Sequence, residues 1–272
     1  MPLRILFTLF ICLLFVACST GKLSVVADIP NNLKEVSGNE ITTNSNLIWV
    51  IEDAGNRNNV YGLNDKGYIV KDIDVKNVNN LDWEDLTTDK EGNLYIGDIG
   101  NNDKNRKWLS ILKISNPEAI EDETTAEVIK FKLPKGEKPK DFEAMFLYNN
   151  FFYLFSKESG KAILIKVPNA LGKHTAEILT EFNLNGKHNL ITSADISDDG
   201  KTVVLLNHEK VWMLTNFTDD NFFGGKLTKL TFEHDSQKEG VCFEDDNTIL
   251  ITDESNDDLG SNIYSFELKQ KN

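Results

Sequence analysis

Apolar and polar side chains alternate along most of this chain with a period of two, in short runs closed by Gly, Asn and Asp. Such alternation, rich in β-branched and aromatic residues, predicts half-buried strands. One segment lays the pattern out in full: Glu84-Asp85-Leu86-Thr87-Thr88-Asp89, then 93–98, 109–114 and 127–132, each set off by turn residues. Beyond the N-terminal segment no stretch carries a capped helical period, so the expected class is all-β.

The four-run unit recurs. An earlier copy begins at Ser37 and continues through 47–52, 60–63 and 69–75. Later copies begin at Glu143, with 151–156, 163–167 and 176–182, and at Ser193, with 202–207, 211–214 and 226–232. The last copy, 239–243, 248–252 and 262–268, is one strand short, and residues 23–29 are a strand-like run left over at the front. That run fits as the outermost strand of the last unit. Four-stranded repeats at roughly 45–60 residues mark a β-propeller. The reading is five blades, with six as the alternative, in one domain over 23–272. Closure by the N-terminal strand leaves only short protected edges. An open β-sandwich would not explain the matching units.

The units share chemistry where their first strands begin: Ser37-Gly38, Glu84-Asp85, Glu143-Ala144, Ser193-Ala194 and Glu239-Gly240. First strands line the channel of a propeller, so Ser37, Glu84, Glu143, Ser193 and Glu239 are expected to ring its axis. Three carboxylates in one narrow channel repel one another unless a cation sits among them. Oxygen-only ligands suit Ca²⁺, and the ring has no Cys or His to favour zinc. In the competing arrangement each Glu caps backbone N–H groups of the next blade around channel water.

Loops joining second to third strands open on the same face as the ring. From them Asp53, Arg57, Asp98, Lys157, His208 and Asp253 are expected to rim a polar pocket. Asp82 and Asp141, two residues ahead of ring glutamates, extend its acidity. His208 is the one histidine expected there and a candidate general base, with Asp53 and Asp98 as weaker catalytic candidates. The competing account is that Asp, Asn and Gly are simply good turn formers. Cys242, on an inner strand, is expected to be a buried small hydrophobe.

Charge and the N-terminus then narrow the setting. The net charge is −14, which speaks against nucleic acid as a partner and favours cations. Arg4 precedes an apolar run from Ile5 to Ala17 that is too short to span a bilayer, the layout of a secretory signal over residues 1–17. The run ends Leu14-Phe15-Val16-Ala17-Cys18-Ser19, which resembles a lipobox, with Phe15 a departure from the usual aliphatic residue. Cys18 would then carry lipid, residues 18–22 would be a tether, and the protein would sit in the cell envelope, at the outer membrane, as a monomer. The alternative is an ordinary cleaved signal.

The order Ser, Glu, Glu, Ser, Glu, one per blade, resembles that of calcium-activated nucleotidase (apyrase) propellers. The phrases Trp83-Glu84-Asp85-Leu86, Leu94-Tyr95-Ile96-Gly97 and Lys238-Glu239-Gly240-Val241 are similar too. The resemblance implies a channel Ca²⁺ and calcium-dependent hydrolysis. The chain also resembles a group of largely uncharacterised secreted bacterial propellers, through Ser37-Gly38, the segment from Asp82 to Gly100, the segment from Ser193 to Gly200, and Glu239-Gly240. Two functions are expected on these grounds. One is a binding module for a small molecule, glycan or protein at the channel mouth. The other is a calcium-dependent hydrolase of phosphorylated or ester substrates. Against nucleotides stands the shortage of nearby cations, which are Arg57, Lys104, Arg106, Lys107 and Lys157.

Overall fold

The structure is a computed structural model that describes residues 23–43, 45–234, 236–255 and 261–269. The readings for 1–17, for Cys18 and for the 18–22 tether lie outside the described residues. The strand β1 (Ser24–Asp28) comes first in the chain. Blade one is β2 (Val36–Glu40), β3 (Ile48–Glu52), β4 (Asn59–Leu63) and β5 (Ile69–Val75). Blade two is β6 (Trp83–Thr88), β7 (Leu94–Asp98), β8 (Leu109–Ile114) and β10 (Glu127–Lys132), with a short β9 (Glu123–Thr124) between the last two that joins the sheet of blade one. Blade three is β11 (Phe142–Tyr148), β12 (Phe151–Ser156), β13 (Ala162–Pro168) and β15 (Glu177–Phe182), with a short β14 (Gly172–Thr175) between the last two that joins the sheet of blade two. Blade four is β16 (Ser193–Ile196), β17 (Thr202–Asn207), β18 (Lys210–Thr215) and β19 (Lys226–Thr231). Blade five is β20 (Lys238–Asp245), β21 (Thr248–Asp253) and β22 (Asn262–Glu267), completed by β1.

The sequence reading of a five-bladed, all-β propeller therefore holds, including its closure. β1 pairs antiparallel with β22, Ser24 opposite Ser265 and Asp28 opposite Asn262. Because β22 starts at the channel mouth, β1 starts toward the opposite face and runs up to it. Among the described residues the only helices are two single 3₁₀ turns, and no helix is long and apolar enough to cross a membrane.

The apolar core is divided into five clusters, one between each pair of neighbouring blades. Side chains on the two faces of each sheet alternate, so both faces of a blade feed a core. Large groups such as Trp49, Trp83, Trp212 and Phe155 are fully buried, and burying each such side chain contributes about 1.5–3 kcal/mol. Cys242 is buried, as the sequence implied.

The connection from third to fourth strand reaches sideways onto the preceding blade in each of the first four blades. In blade two it forms β9, which pairs parallel with β5 of blade one. In blade three it forms β14, which pairs parallel with β10 of blade two. In blade four it delivers Phe222, packed edge-on against Phe146 and Tyr153 of blade three, and Asp220, 2.5 Å from Lys166. In blade one the β4–β5 turn lies on β1. There Gly67 (φ 78°) comes so near that a Cβ would collide with the Asp28 carbonyl.

Candidate functional site at the channel mouth

The five inner strands β2, β6, β11, β16 and β20 begin with the same irregularity. The ladder with the second strand slips by one residue at Ser37-Gly38, at Glu84, at Glu143 and at Glu239. In blade four the amide of Thr192 bonds the Leu206 carbonyl at 3.0 Å while Ser193 is also paired with Leu206, so Thr192 is the extra residue. A bulge of this kind turns one side chain out of the ladder. The ring at the mouth is thus Ser37, Glu84, Glu143, Thr192 and Glu239. Ser193 stands one position deeper.

The two hydroxyls confirm that equivalence. Ser37 Oγ donates to the Trp83 carbonyl at 3.0 Å, and Thr192 Oγ1 to the Lys238 carbonyl at 2.8 Å. Each carbonyl belongs to the residue just ahead of the next blade's ring glutamate. The hydroxyls therefore latch blade one to two and blade four to five. Below them Gly38, Ala144 and Gly240 allow close approach, and a Cβ on Gly38 would meet the Asp85 backbone at 2.8 Å. Asp85 is the exception and is fully buried. Its carboxylate accepts from Met145 N at 2.8 Å, Ala194 N at 3.2 Å and Ser193 Oγ at 2.8 Å, tying blades two, three and four together.

Charge at the mouth divides into two halves. On one side Lys157 Nζ lies 2.5 Å from Glu143 Oε2, and His208 Nε2 lies 2.9 Å from Glu239 Oε1. Burial opposes the Lys157 charge, but Glu143, Glu239 and Glu84 together hold its pKa above the usual lysine range. Burial pushes Glu143 upward while Lys157 pulls it back. Glu254 joins this half. Burial, then the charges of Glu239 and Asp53, raise it to about 8.

On the other side, carboxylate oxygens of Asp53, Asp82 and Glu84 all lie within 4.8 Å of one another. Glu84 is 7% exposed, and no described residue donates a hydrogen bond to its carboxylate. Burial, then Glu143, Asp53 and Asp82, push its pKa well above the ordinary carboxylate range. Asp82 is raised to about 6 by burial and Asp53, against a partial pull from Arg106. Asp53, which accepts from Ala54 N, is raised mainly by burial. The backbone at Gly100 is packed against the Glu84 and Asp82 carboxylates. Arg106 holds that backbone, donating to the Gly100 carbonyl at 2.6 Å and to Asp98 Oδ1 at 2.7 Å.

Of the rim residues read from the sequence, Asp53, Lys157 and His208 reach the mouth. Asp98 and Asp253 do not. Each is the last residue of its strand, with its side chain turned between strands. Asp98 binds Arg106 and accepts from Asp82 N at 3.2 Å, and Asp253 accepts from Asn262 N at 2.7 Å and Tyr264 OH at 2.8 Å. Arg57 lies outside, 66% exposed and 3.5 Å from Asp72 on β5. Asp141 supports the wall by accepting from Asn101 N at 2.6 Å. Glu254 and Thr192 escaped the sequence reading. An alignment anchored on the last residues of second strands, Asn207 and Asp253, would have found both.

No family profile matches the sequence, and no curated protein matches it. Solved structures do. The PQQ-bound aldose sugar dehydrogenase of Streptomyces coelicolor aligns with TM-score 0.54 at 7% identity, over 91% of this chain and 98% of that one. A luciferin-regenerating enzyme aligns with TM-score 0.50 at 13% identity, over 86% and 78%. A chain of a nidogen/laminin complex gives 0.48 at 10% identity, over 81% and 73%. At such identities the likeness is one of fold alone, and the fold shared is the β-propeller.

Proposed function

We propose that this protein is a cation-dependent binding module that holds one Ca²⁺ at the channel mouth and presents it to a ligand or partner. The observation that carries the reading is Glu84, a residue only 7% exposed whose carboxylate takes no hydrogen bond from a described residue and is grouped with those of Asp53 and Asp82. Oxygen ligands at 2.3–2.6 Å from Ca²⁺ stand at most about 5 Å apart, so the three oxygens fit one such ion, with water completing its shell. Glu143 and Glu239 are served by Lys157 and His208 and stay outside this ligand set. The site is therefore narrower than the five-residue ring expected from the sequence, and it adds Asp53 and Asp82.

The setting belongs to the same proposal. The Leu14–Ser19 motif supports export and lipid attachment at Cys18. The direction of β1, which starts toward the face away from the mouth, would then point the site outward from the membrane.

A second reading rests on His208 and Glu239. A carboxylate 2.9 Å from an imidazole orients it as a general base, and a neighbouring Ca²⁺ would polarise a phosphoryl or ester oxygen. Calorimetry on the chain starting at Ser19 tests the first reading. Saturable one-to-one Ca²⁺ binding is expected, weakened at least ~10-fold in Glu84→Gln, with thermal stabilisation that a chelator reverses. Absence of binding, or binding unchanged in Glu84→Gln, would remove it. Turnover of phosphoesters abolished by His208→Ala, with Ca²⁺ binding intact, would favour the second.

A further inference from the structure

A cavity of about 300 Å³ opens between blades two and three, outside the channel and on the same face as the mouth. Its floor is apolar, made by Leu109, Phe131, Leu133 and Phe142. Phe131 and Phe142 are fully buried members of the core between these blades, and Leu133 packs against it. The outer wall is the connection from β10 to β11, stiffened by Pro134 and Pro139 and turned by Gly136 at φ 103°. Proline fixes φ, which restricts the wall at both of its ends.

The rim has the opposite sign to the rest of the molecule. Arg106, Lys107, Lys132, Lys135 and Lys140 line it, against the single acid Glu137, in a chain of net charge −14. Arg106 is spent on Asp98 and Gly100, and Lys140 lies 3.7 Å from Glu158. Among the described residues no carboxylate pairs with Lys107, Lys132 or Lys135. Lys132 is occupied by Trp108, whose ring centroid lies 5.1 Å from its Nζ, with Lys173 at 5.6 Å from the same ring, which leaves Lys107 and Lys135 as the exposed cations of the rim. An apolar hollow edged by unpaired cations matches a ligand with an apolar body and one anionic head.

We propose that this cavity is a second binding site, for a small soluble amphiphilic anion such as a medium-chain carboxylate or an aryl sulfonate. Its volume falls at the lower end of ligand pockets, about 300–1,000 Å³, which suits a single short chain or ring system. The apolar body would lie on Leu133, Pro134 and Pro139, over a floor closed from below by Phe131 and Phe142, and the head would meet Lys107 and Lys135. The site shares no proposed cation ligand with the mouth and stands or falls apart from it.

The test is a fluorescence titration of the chain starting at Ser19 with 8-anilinonaphthalene-1-sulfonate, in chelator so that the mouth plays no part. Saturable one-to-one binding is expected, displaced by decanoate. The exposed double change Lys107→Glu, Lys135→Glu should weaken it at least ~10-fold. Leu133→Trp, which fills the hollow and keeps every charge, should weaken it comparably. The uncharged N-phenyl-1-naphthylamine should bind at least ~10-fold more weakly than the sulfonate. Circular dichroism of both variants checks the fold. Non-saturable binding, an affinity indifferent to either variant, or equal binding of the neutral dye would overturn the proposal. Displacement by phosphatidylglycerol vesicles and not by decanoate would overturn it in favour of a membrane surface.

Discussion

Thr192 and Ser193 are neighbours with separate duties. Thr192 latches the mouth ring to blade five, whereas Ser193 supplies one of the donors that make a fully buried Asp85 tolerable. Losing a donor to a buried carboxylate costs about 1–3 kcal/mol. Ser193→Ala should therefore destabilise by that order in urea unfolding, with Ca²⁺ affinity unchanged. Equal stability of variant and parent would show that Asp85 does not depend on it. Further down the channel, burial raises Asp195 to about 7, although Phe243 N and Ile196 N both donate to it. A carboxyl whose folded pKa lies above its unfolded value favours the folded state at low pH. That contribution is complete below about pH 4 and is lost as pH rises through about 7. Melting temperature in chelator should accordingly fall across this window, and Asp195→Asn should flatten the fall; an unchanged slope would assign it to other groups. The ring glutamates were legible in the sequence because each opens an inner strand. The fourth ring position was not, because a bulge adds one residue without disturbing the apolar alternation that reveals a strand. The same one-residue ambiguity explains Asp98 and Asp253, since in a strand one step turns a side chain to the other face.

Each second strand ends where its blade meets the mouth, and the residues just beyond it decide the chemistry offered there. After β7 the chain passes through Gly100, close against Glu84 and Asp82 and clamped from behind by Arg106. Adding a methyl group would force those carboxylates apart while leaving the blade cores untouched. Gly100→Ala should reduce Ca²⁺ affinity at least ~10-fold with little change in melting temperature in chelator. Retained affinity would mean that the cation does not use this pair. The strands themselves were readable because period two is a strong signal over a half-buried sheet. The sideways strands were not, because two residues at Glu123–Thr124 and an exposed run at Gly172–Thr175 carry no apolar pattern. Their pairing is decided by the blade already waiting beside them.

At the scale of the whole ring, closure by β1 has a mechanical cost at the opposite side of blade five. The first four blades each send their third-to-fourth connection onto the blade before them. Blade five has no third-to-fourth connection, because its fourth strand arrives from the other end of the chain. Among the described residues blade four is consequently the one neighbour left without an outer strap. Its seam with blade five is held near the channel instead, by an apolar cluster, by Thr192 on the Lys238 carbonyl, by His208 on Glu239, by Lys238 on the His208 carbonyl, and by the Val241 and Phe243 amides on Ser193 and Asp195. The ring is thus a band with a buckle, and strain applied to it would part it at blades four and five, well away from the rigid quarter that carries Asp53, Asp82 and Glu84. Hydrogen exchange should find the amides of β19 and β20 opening earlier than those of β5 and β10, and the reverse order would place the weak seam elsewhere. A ligand that bridged His208 and Glu254 would close this buckle, so that occupancy of the mouth would be felt as stiffness around the entire circumference.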